Sequence, residues 1–253
     1  MRDSRRDRSI GRMLVFVLLF AAVAFLGRAA AAESVVFACN EFPPYKMENS
    51  DTGLPGFDVE FLEEAFKRSG IAIEIVYMPW IRALKEAKDA HVDGVCSCSR
   101  TEERDSYLLY SEPLGKASSG LFSLAENDPA QPARLEEVRG KTIGVIRGYN
   151  LIENLEKAGI EDFILLSSEQ QAARMLLRNR LDYYYGYEAP TRFYLKQLGD
   201  AERFRYNEIS HREYFSCFSK NVAGSTTLLK RFNEGLKQIK DDGTHQAILE
   251  KYR

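Results

Sequence analysis

The residues whose types and spacing most clearly suggest chemistry lie within residues 92–104, which read VDGVCSCSRTEER. A short apolar strand runs there through small polar residues into a helix start that carries one arginine. In an open α/β sheet, the carboxyl ends of strands and the N-termini of the following helices line the ligand crevice. We therefore expect Ser97, Ser99, Thr101 and Arg104 to converge on a pocket for a small anion.

The elements that must position these residues alternate between strand-like and helix-like patterns. This alternation is typical of parallel sheets covered by helices. In the first unit the pattern predicts a strand at 34–38, a helix at 58–69, a strand at 71–77, a helix at 80–88 and a strand beginning at Val92.

A second unit begins at Lys141 and repeats the architecture of the first. It reads as strand TIGVI, a turn at Gly148, a helix from Leu151, strand DFILL, a helix from Glu169 and strand LDYYYGY. Capping signals mark two of its helix starts, Asn150 with Glu153 and Ser168 with Gln171.

The end of the chain predicts one more strand, residues 214–218, and two amphipathic helices separated by Gly243. These helices need a sheet to cover, and the simplest topology returns them to the first unit. We therefore expect two lobes joined by crossing segments near 112–124 and 211–220. The expected boundaries are residues 33–114 with 219–253 for the first lobe, and 115–218, hinge segments included, for the second.

Residues 1–32 predict a cleaved targeting signal, with a basic leader, an apolar run at 13–26 and small residues at 29–32. The alternative is a single membrane anchor, but the apolar run is shorter than the roughly twenty residues that span a bilayer. The sequence thus favours export to the periplasm.

The charge balance argues against nucleic acid or anionic lipid as partners. The whole chain has a formal net charge of -2, and the leader holds six of its arginines but only two of its aspartates. The exported part is therefore more acidic than the whole chain.

Four cysteines remain after the leader: Cys39, Cys96, Cys98 and Cys217. We expect Cys96 and Cys98 on one face of one strand, which disfavours a bond between them and favours pairing with Cys39 or Cys217. A disulfide, buried free thiols and a metal site all remain open, although the spacing is not that of a usual zinc site. No metal or cofactor is expected.

Seven segments stand out, in chain order FPPY, GFDVEFLEEA, VDG, TEER, YSEPL, GKTIGVIRG and DDGTHQAILEKY. In these segments and their order the chain resembles the bacterial extracellular solute-binding proteins that serve polar amino-acid transporters. The resemblance implies a two-lobed, type II periplasmic-binding-protein-like α/β fold, in which each lobe is a mainly parallel sheet flanked by helices. Two hinge crossings let the lobes close on a ligand.

The resemblance also implies binding residues. Arg104 corresponds to the arginine that grips the ligand carboxylate, which a planar guanidinium does bidentately. Phe42 lies where the family places a ring against the ligand, and Asn150 stands where a threonine touches the carboxylate. Trp80 lies near the lip of the same lobe.

Two further features of the sequence bear on the cleft. Gly148, Tyr149 and Asn150 form a strand-to-helix turn that favours an anion. Arg82 either supplies a second positive charge or lies on a solvated helix face.

At Tyr187 the chain departs from the family, which commonly has an aspartate there for the ligand's ammonium group. Glu188 follows, but on a strand its side chain points to the opposite face. The tyrosines Tyr183, Tyr184, Tyr185 and Tyr187 either cradle a cation or aromatic group or pack beneath helices.

Together these features predict a monomeric periplasmic receptor, not an enzyme. It would capture a small carboxylate-bearing solute, an amino acid or a relative, and deliver it to an ABC transporter permease. The alternatives are a cyclohexadienyl-dehydratase-like enzyme on the same fold, with Glu188 or Glu41 as general acid, and a ligand-sensing subunit of a signalling system.

Overall fold

The computed structural model describes residues 34–127, 131–199 and 201–252. The predicted targeting signal, residues 1–32, lies outside the described residues. Within the described ranges, every helix is too short or too polar to cross a membrane.

The strands and helices follow the predicted alternation closely. The strands are β1 Ser34–Cys39, β2 Ala72–Tyr77, β3 Gly94–Cys98, β4 Leu108–Leu124, β5 Ile143–Ile146, β6 Ile164–Leu166, β7 Tyr183–Tyr187 and β8 Phe204–Ser219. The α-helices are α1 Phe57–Arg68, α2 Trp80–Lys88, α3 Glu102–Asp105, α4 Leu151–Lys157, α5 Glu169–Leu177, α6 Glu188–Leu198, α7 Ser225–Asp241 and α8 Thr244–Glu250. Short 3-10 helices lie at Leu135–Val138 and Ala201–Arg203.

The described strands form one sheet in the order β2-β1-β3-β8-β4-β7-β5-β6. In the first lobe β1 is parallel to β2 and β3, and in the second lobe β5 is parallel to β6 and β7. The antiparallel pair of β4 and β8 runs between these two parallel sections. The predicted α/β fold class with two lobes is confirmed.

The two crossing strands are much longer than the sequence indicated. β4 and β8 pair from Leu108 opposite Ser219 to Leu124 opposite Phe204. Their register shifts on either side of Pro113, because a proline offers no N–H to a ladder and is accommodated at irregular positions. Pro113 and Gly115 interrupt the strand-like pattern, so the sequence did not predict the full length of β4. The exact lobe boundaries stay a prediction.

Each lobe has its own apolar core. In the first lobe Phe37, Phe66 and Phe218 pack with Phe232 and Ile239 of α7. The expectation that the last helices return to cover the first unit is therefore confirmed. In the second lobe the side chains of β7 alternate between two clusters, so that Tyr183 and Tyr185 lie in one and Tyr184 in the other.

All four cysteines form disulfides, Cys39 with Cys96 and Cys98 with Cys217. The expected partners from neighbouring strands are confirmed, and these bonds exclude the free-thiol and metal alternatives for the four residues. The prediction that Cys96 and Cys98 share a face was wrong, because they belong to different core clusters. A register irregularity between Val95 and Cys98 shifts the alternation of β3 at this point.

Candidate functional site

A cavity lies between the lobes, where β1, β3, β5 and β7 end. Of the predicted binding residues, the following line it: Phe42, Trp80, Ser97, Ser99, Arg104, Tyr149, Asn150 and Tyr187. The sequence had singled out these residues from five separate segments, and the fold brings them together.

Arg104 lines this cavity and is 4% exposed. Its position is set by α3, which Thr101 caps by accepting a hydrogen bond from the Arg104 backbone N–H at 3.3 Å. Its Nη1 donates to the Ser99 carbonyl at 2.9 Å and its Nη2 to the Gly148 carbonyl at 3.0 Å. The guanidinium therefore touches both lobes, because Ser99 follows β3 and Gly148 follows β5.

Trp80, the first residue of α2, makes a second contact across the cavity. Its indole N–H donates to the same Gly148 carbonyl at 3.0 Å, and its ring centroid is 5.2 Å from the Arg104 guanidinium carbon. Gly148 has a φ of 79°, and a Cβ there would collide with the end of the Ile81 side chain. The positive φ favours glycine at this turn, and the absence of a Cβ leaves room for the Ile81 side chain.

Tyr187 joins the lobes from the other side. Its hydroxyl donates to Asn150 Oδ1 at 2.6 Å and lies 2.9 Å from Ser99 Oγ. Burial raises the pKa of Tyr187, so the cavity receives a neutral phenol at this position. The Phe42 ring meets the Tyr187 ring edge-on at 5.6 Å between centroids.

The two capping predictions had different outcomes. Ser168 accepts a hydrogen bond from the Gln171 backbone N–H at 3.2 Å, as predicted. Asn150 makes no side-chain cap, and that prediction was wrong. The reason is a competing partner, since its side-chain oxygen is held by the Tyr187 hydroxyl.

Sequence reasoning missed several residues that line the cavity: Asn40, Tyr45, Lys46, Ala117 and Tyr214. Lys46 is the most consequential because it is a cation that is only 4% exposed. Lysine is almost never fully buried, so no pattern in the sequence pointed to it. The nearest signal in the sequence is that Lys46 lies between Tyr45 and Met47, two large residues of the kind that pack in a core. Both are buried in the structure.

The Lys46 ammonium group donates to Ser97 Oγ at 3.0 Å. Its charge faces Asp58, a fully buried carboxylate on α1 whose Oδ1 accepts a hydrogen bond from the Tyr214 hydroxyl at 2.8 Å. Burial lowers the pKa of Lys46 to about 8 and raises the pKa of Asp58 to about 6. Asp58 is not among the residues that line the cavity.

Other candidates lie elsewhere. Glu188 begins α6, pairs with Arg192 at 2.8 Å and is not among the residues that line the cavity. Arg82 is exposed and pairs with Glu86 at 3.4 Å, so the solvated-face interpretation is the correct one. Glu41 accepts the Glu48 backbone N–H at 2.8 Å and lines a neighbouring groove. Of the four tyrosines, Tyr187 alone lines the cavity, while the other three pack in the core.

Comparison with known proteins identifies the family. Residues 35–253 match the family model of the bacterial extracellular solute-binding proteins, family 3. A probable histidine-binding protein of Campylobacter jejuni is 28% identical over 215 residues, which cover 83% of this chain and 82% of the relative.

Solved structures agree on the fold. A histidine kinase sensor domain similar to periplasmic binding proteins superposes with a TM-score of 0.78 at 23% identity, covering 87% of this chain and 95% of that one. An ancestral arginine-binding protein bound to arginine gives 0.74 at 24% identity, covering 87% and 97%. On the match over residues 35–253, the chain belongs to the bacterial extracellular solute-binding proteins, family 3.

Proposed function

We propose that the chain is a periplasmic receptor that captures a small carboxylate-bearing solute between its lobes and delivers it to an ABC transporter. The observation that carries this proposal is Arg104, a buried guanidinium that lines the cavity and contacts both lobes. Arginine has five N–H donors, and the two carbonyl contacts leave donors for a carboxylate. A carboxylate bound to these donors would lie where the two lobes meet, because Arg104 contacts Ser99 in one lobe and Gly148 in the other.

The named relatives support an amino acid or a related compound as the solute. The Campylobacter jejuni relative is a probable histidine-binding protein, and an arginine-binding periplasmic protein of Mannheimia haemolytica is 25% identical over 246 residues. We also propose that this chain acts as a monomer beside a permease, and that β4 and β8, which run between the two parallel sections of the sheet, form the hinge.

The test is thermal unfolding of residues 33–253 against amino acids, amines, dicarboxylates and aromatic acids. A ligand that binds only the native state raises the unfolding midpoint by mass action. We expect carboxylate-bearing solutes to raise it in the wild type and to have no effect on the Arg104→Ala variant. Stabilisation by amines alone, or an Arg104→Ala variant that responds like the wild type, would contradict the proposal.

A binding role is favoured over a dehydratase role by where the carboxylates lie. Glu41 and Glu188, the candidates for a general acid, both lie outside the cavity that Arg104 occupies. Incubation of the protein with prephenate checks this point. Stoichiometric binding or no binding agrees with the receptor, whereas steady conversion of prephenate would favour the enzyme.

A further inference from the structure

Lys46 brings a second cation to the cavity that contains Arg104. Its Nζ lies 5.1 Å from the centroid of the Phe42 ring and 5.8 Å from that of Trp80. Arg104 approaches the same Trp80 ring at 5.2 Å. Both cations therefore lie close to the Trp80 ring.

Backbone hydrogen bonds to Phe42 fix the position of Lys46. The Phe42 and Lys46 backbones form an isolated bridge, in which the Phe42 N–H donates to the Lys46 carbonyl at 2.9 Å and the Lys46 N–H donates to the Phe42 carbonyl at 3.0 Å. This tight turn directs the lysine side chain inward, between the buried Tyr45 and Met47. A buried ammonium group is costly unless it is paired, and the charge of Asp58 offsets part of that cost for Lys46.

The partners of Lys46 in the described part of the chain leave it able to bind an anion. An ammonium group has three donors, and Ser97 Oγ accepts one of them. Asp58 acts on Lys46 through its charge, and no ion pair within 4.0 Å joins the two among the described residues. Asp58 Oδ2 has no hydrogen-bond partner among the described residues, and the Ser97 hydroxyl that Lys46 contacts also acts to lower the pKa of Asp58.

The side chains that line the cavity are two cations and a set of neutral polar and aromatic groups, with no carboxylate among the lining residues that the structure describes. A ligand with a cationic side chain would meet like charges at Lys46 and Arg104. A ligand with two acidic groups would meet opposite charge at both. The rings of Phe42 and Trp80, which also line the cavity, offer apolar surface to the short carbon chain of such a ligand.

We propose that Lys46 is a second anion-binding residue and that the solute is a small dicarboxylate, with one carboxylate on Arg104 and the other on Lys46. This inference rests on the proposed function and narrows its substrate class. It predicts a preference for acids over the histidine and arginine that name the relatives.

The test is calorimetric titration of residues 33–253 with succinate and glutarate, with their monocarboxylate counterparts butyrate and valerate, and with histidine and arginine. The wild type should bind a dicarboxylate most tightly. Lys46→Met should weaken dicarboxylate binding by about 10- to 100-fold and change monocarboxylate binding by less than about threefold, as expected for loss of one hydrogen bond to a charged group. Lys67→Met is the matched control, because Lys67 is 76% exposed and should leave both affinities unchanged.

Lys46→Gln is the second variant in case Lys46→Met does not fold, because an amide keeps the contact with Ser97 without the charge. It should lose the preference for dicarboxylates in the same way. Equal losses for both ligand classes, or wild-type binding of histidine or arginine in preference to dicarboxylates, would overturn the assignment of Lys46 while the receptor role stands. An Arg104→Ala variant with wild-type affinity would instead overturn the proposed function.

Discussion

At the scale of single residues, the cavity is defined by which charges are buried and what they touch. Arg104 and Lys46 are both 4% exposed, whereas neighbouring Arg100 is exposed and pairs with Asp105 at 3.0 Å. Buried charges interact more strongly with a ligand than exposed ones because water screens them less. The ligand contacts should therefore depend on Arg104 and Lys46 far more than on Arg100.

Replacement of Arg104 by lysine should weaken carboxylate binding by about 10- to 100-fold, because lysine keeps the charge but cannot make the bidentate contact. The measurement is calorimetric titration with the tightest ligand of the thermal panel. Arg100→Lys, in the segment between β3 and α3, is the control and should change affinity by less than about twofold. Equal effects of the two substitutions would show that Arg104 does not grip the ligand.

The pKa of Lys46, about 8, predicts a pH dependence for a dicarboxylate ligand. Below pH 8 Lys46 is charged before and after binding, so this group contributes no pH dependence. Above pH 8 the free receptor has lost that proton and must take it up again to bind an anion, so affinity should fall by up to tenfold per pH unit. Titrations at pH 7 and pH 9 in buffers of different ionisation heat measure both effects.

The groups that face Lys46 leave this expectation intact. Burial raises the pKa of Asp58 to about 6, which keeps it ionised throughout the range from pH 7 to pH 9. Burial also raises the pKa of Tyr45 and Tyr214, which stay neutral there. Lys46→Gln should give a flat profile, and a flat profile in the wild type would contradict the prediction.

At the scale of elements, the turn between β5 and α4 contacts the start of α2 across the cavity. The Gly148 carbonyl accepts hydrogen bonds from both Trp80 and Arg104. The absence of a side chain at Gly148 leaves room for Ile81. This contact is made between the lobes, so it contributes to the closed arrangement more than to the folding of either lobe.

Gly148→Ala should therefore weaken ligand binding by about three- to tenfold more than Gly140→Ala does. Both glycines have a positive φ, 79° and 78°, so alanine strains the backbone similarly and should lower the stability of each variant by about 1 kcal/mol. Only at Gly148 would the new Cβ also meet Ile81. Thermal unfolding and calorimetric titration separate the two effects.

The double variant Gly148→Ala with Ile81→Ala tests the cause. Removal of the Ile81 side chain should restore most of the lost affinity, because the collision is with the end of that flexible side chain. If the double variant binds no better than Gly148→Ala alone, the collision across the cleft is not what weakens binding.

At the scale of the whole molecule, the two lobes are tied together by β4 and β8 and the first lobe is reinforced by disulfides. Cys39–Cys96 joins β1 to β3, and Cys98–Cys217 joins β3 to β8. β3 leads directly into Ser99 and Arg104, so both bonds brace the strand that positions the carboxylate contact. Only the second bond includes a residue that lines the cavity, Cys98.

Removal of either disulfide, as Cys39→Ala with Cys96→Ala or as Cys98→Ala with Cys217→Ala, should lower the free energy of unfolding by about 2 to 5 kcal/mol. Only the second pair of substitutions should also weaken ligand binding, by roughly threefold or more, about 0.7 kcal/mol. Denaturant unfolding and calorimetric titration measure these effects. Similar losses of affinity in both variants would mean that the bonds act on binding only through overall stability.

Much of the fold could be predicted from the sequence, because its signals are local. The helix predicted at 80–88 matches α2 within the same residues, and the strands of both lobes are found where alternation placed them. The position of Arg104 could likewise be predicted, because a strand that is followed by a capped helix start ends at one edge of a sheet. Most predicted cavity residues lie at such strand-to-helix junctions.

The tertiary structure decided what depends on contacts between distant segments. Asn150 contacts Tyr187 instead of capping its helix, an irregularity in β3 places Cys98 against Cys217, and Lys46 is buried although lysine usually is not. In each case the partner lies at least 37 residues away along the chain. Periodicity and caps report interactions over a few residues, so the sequence alone determined the elements and the tertiary structure decided the partners of their side chains.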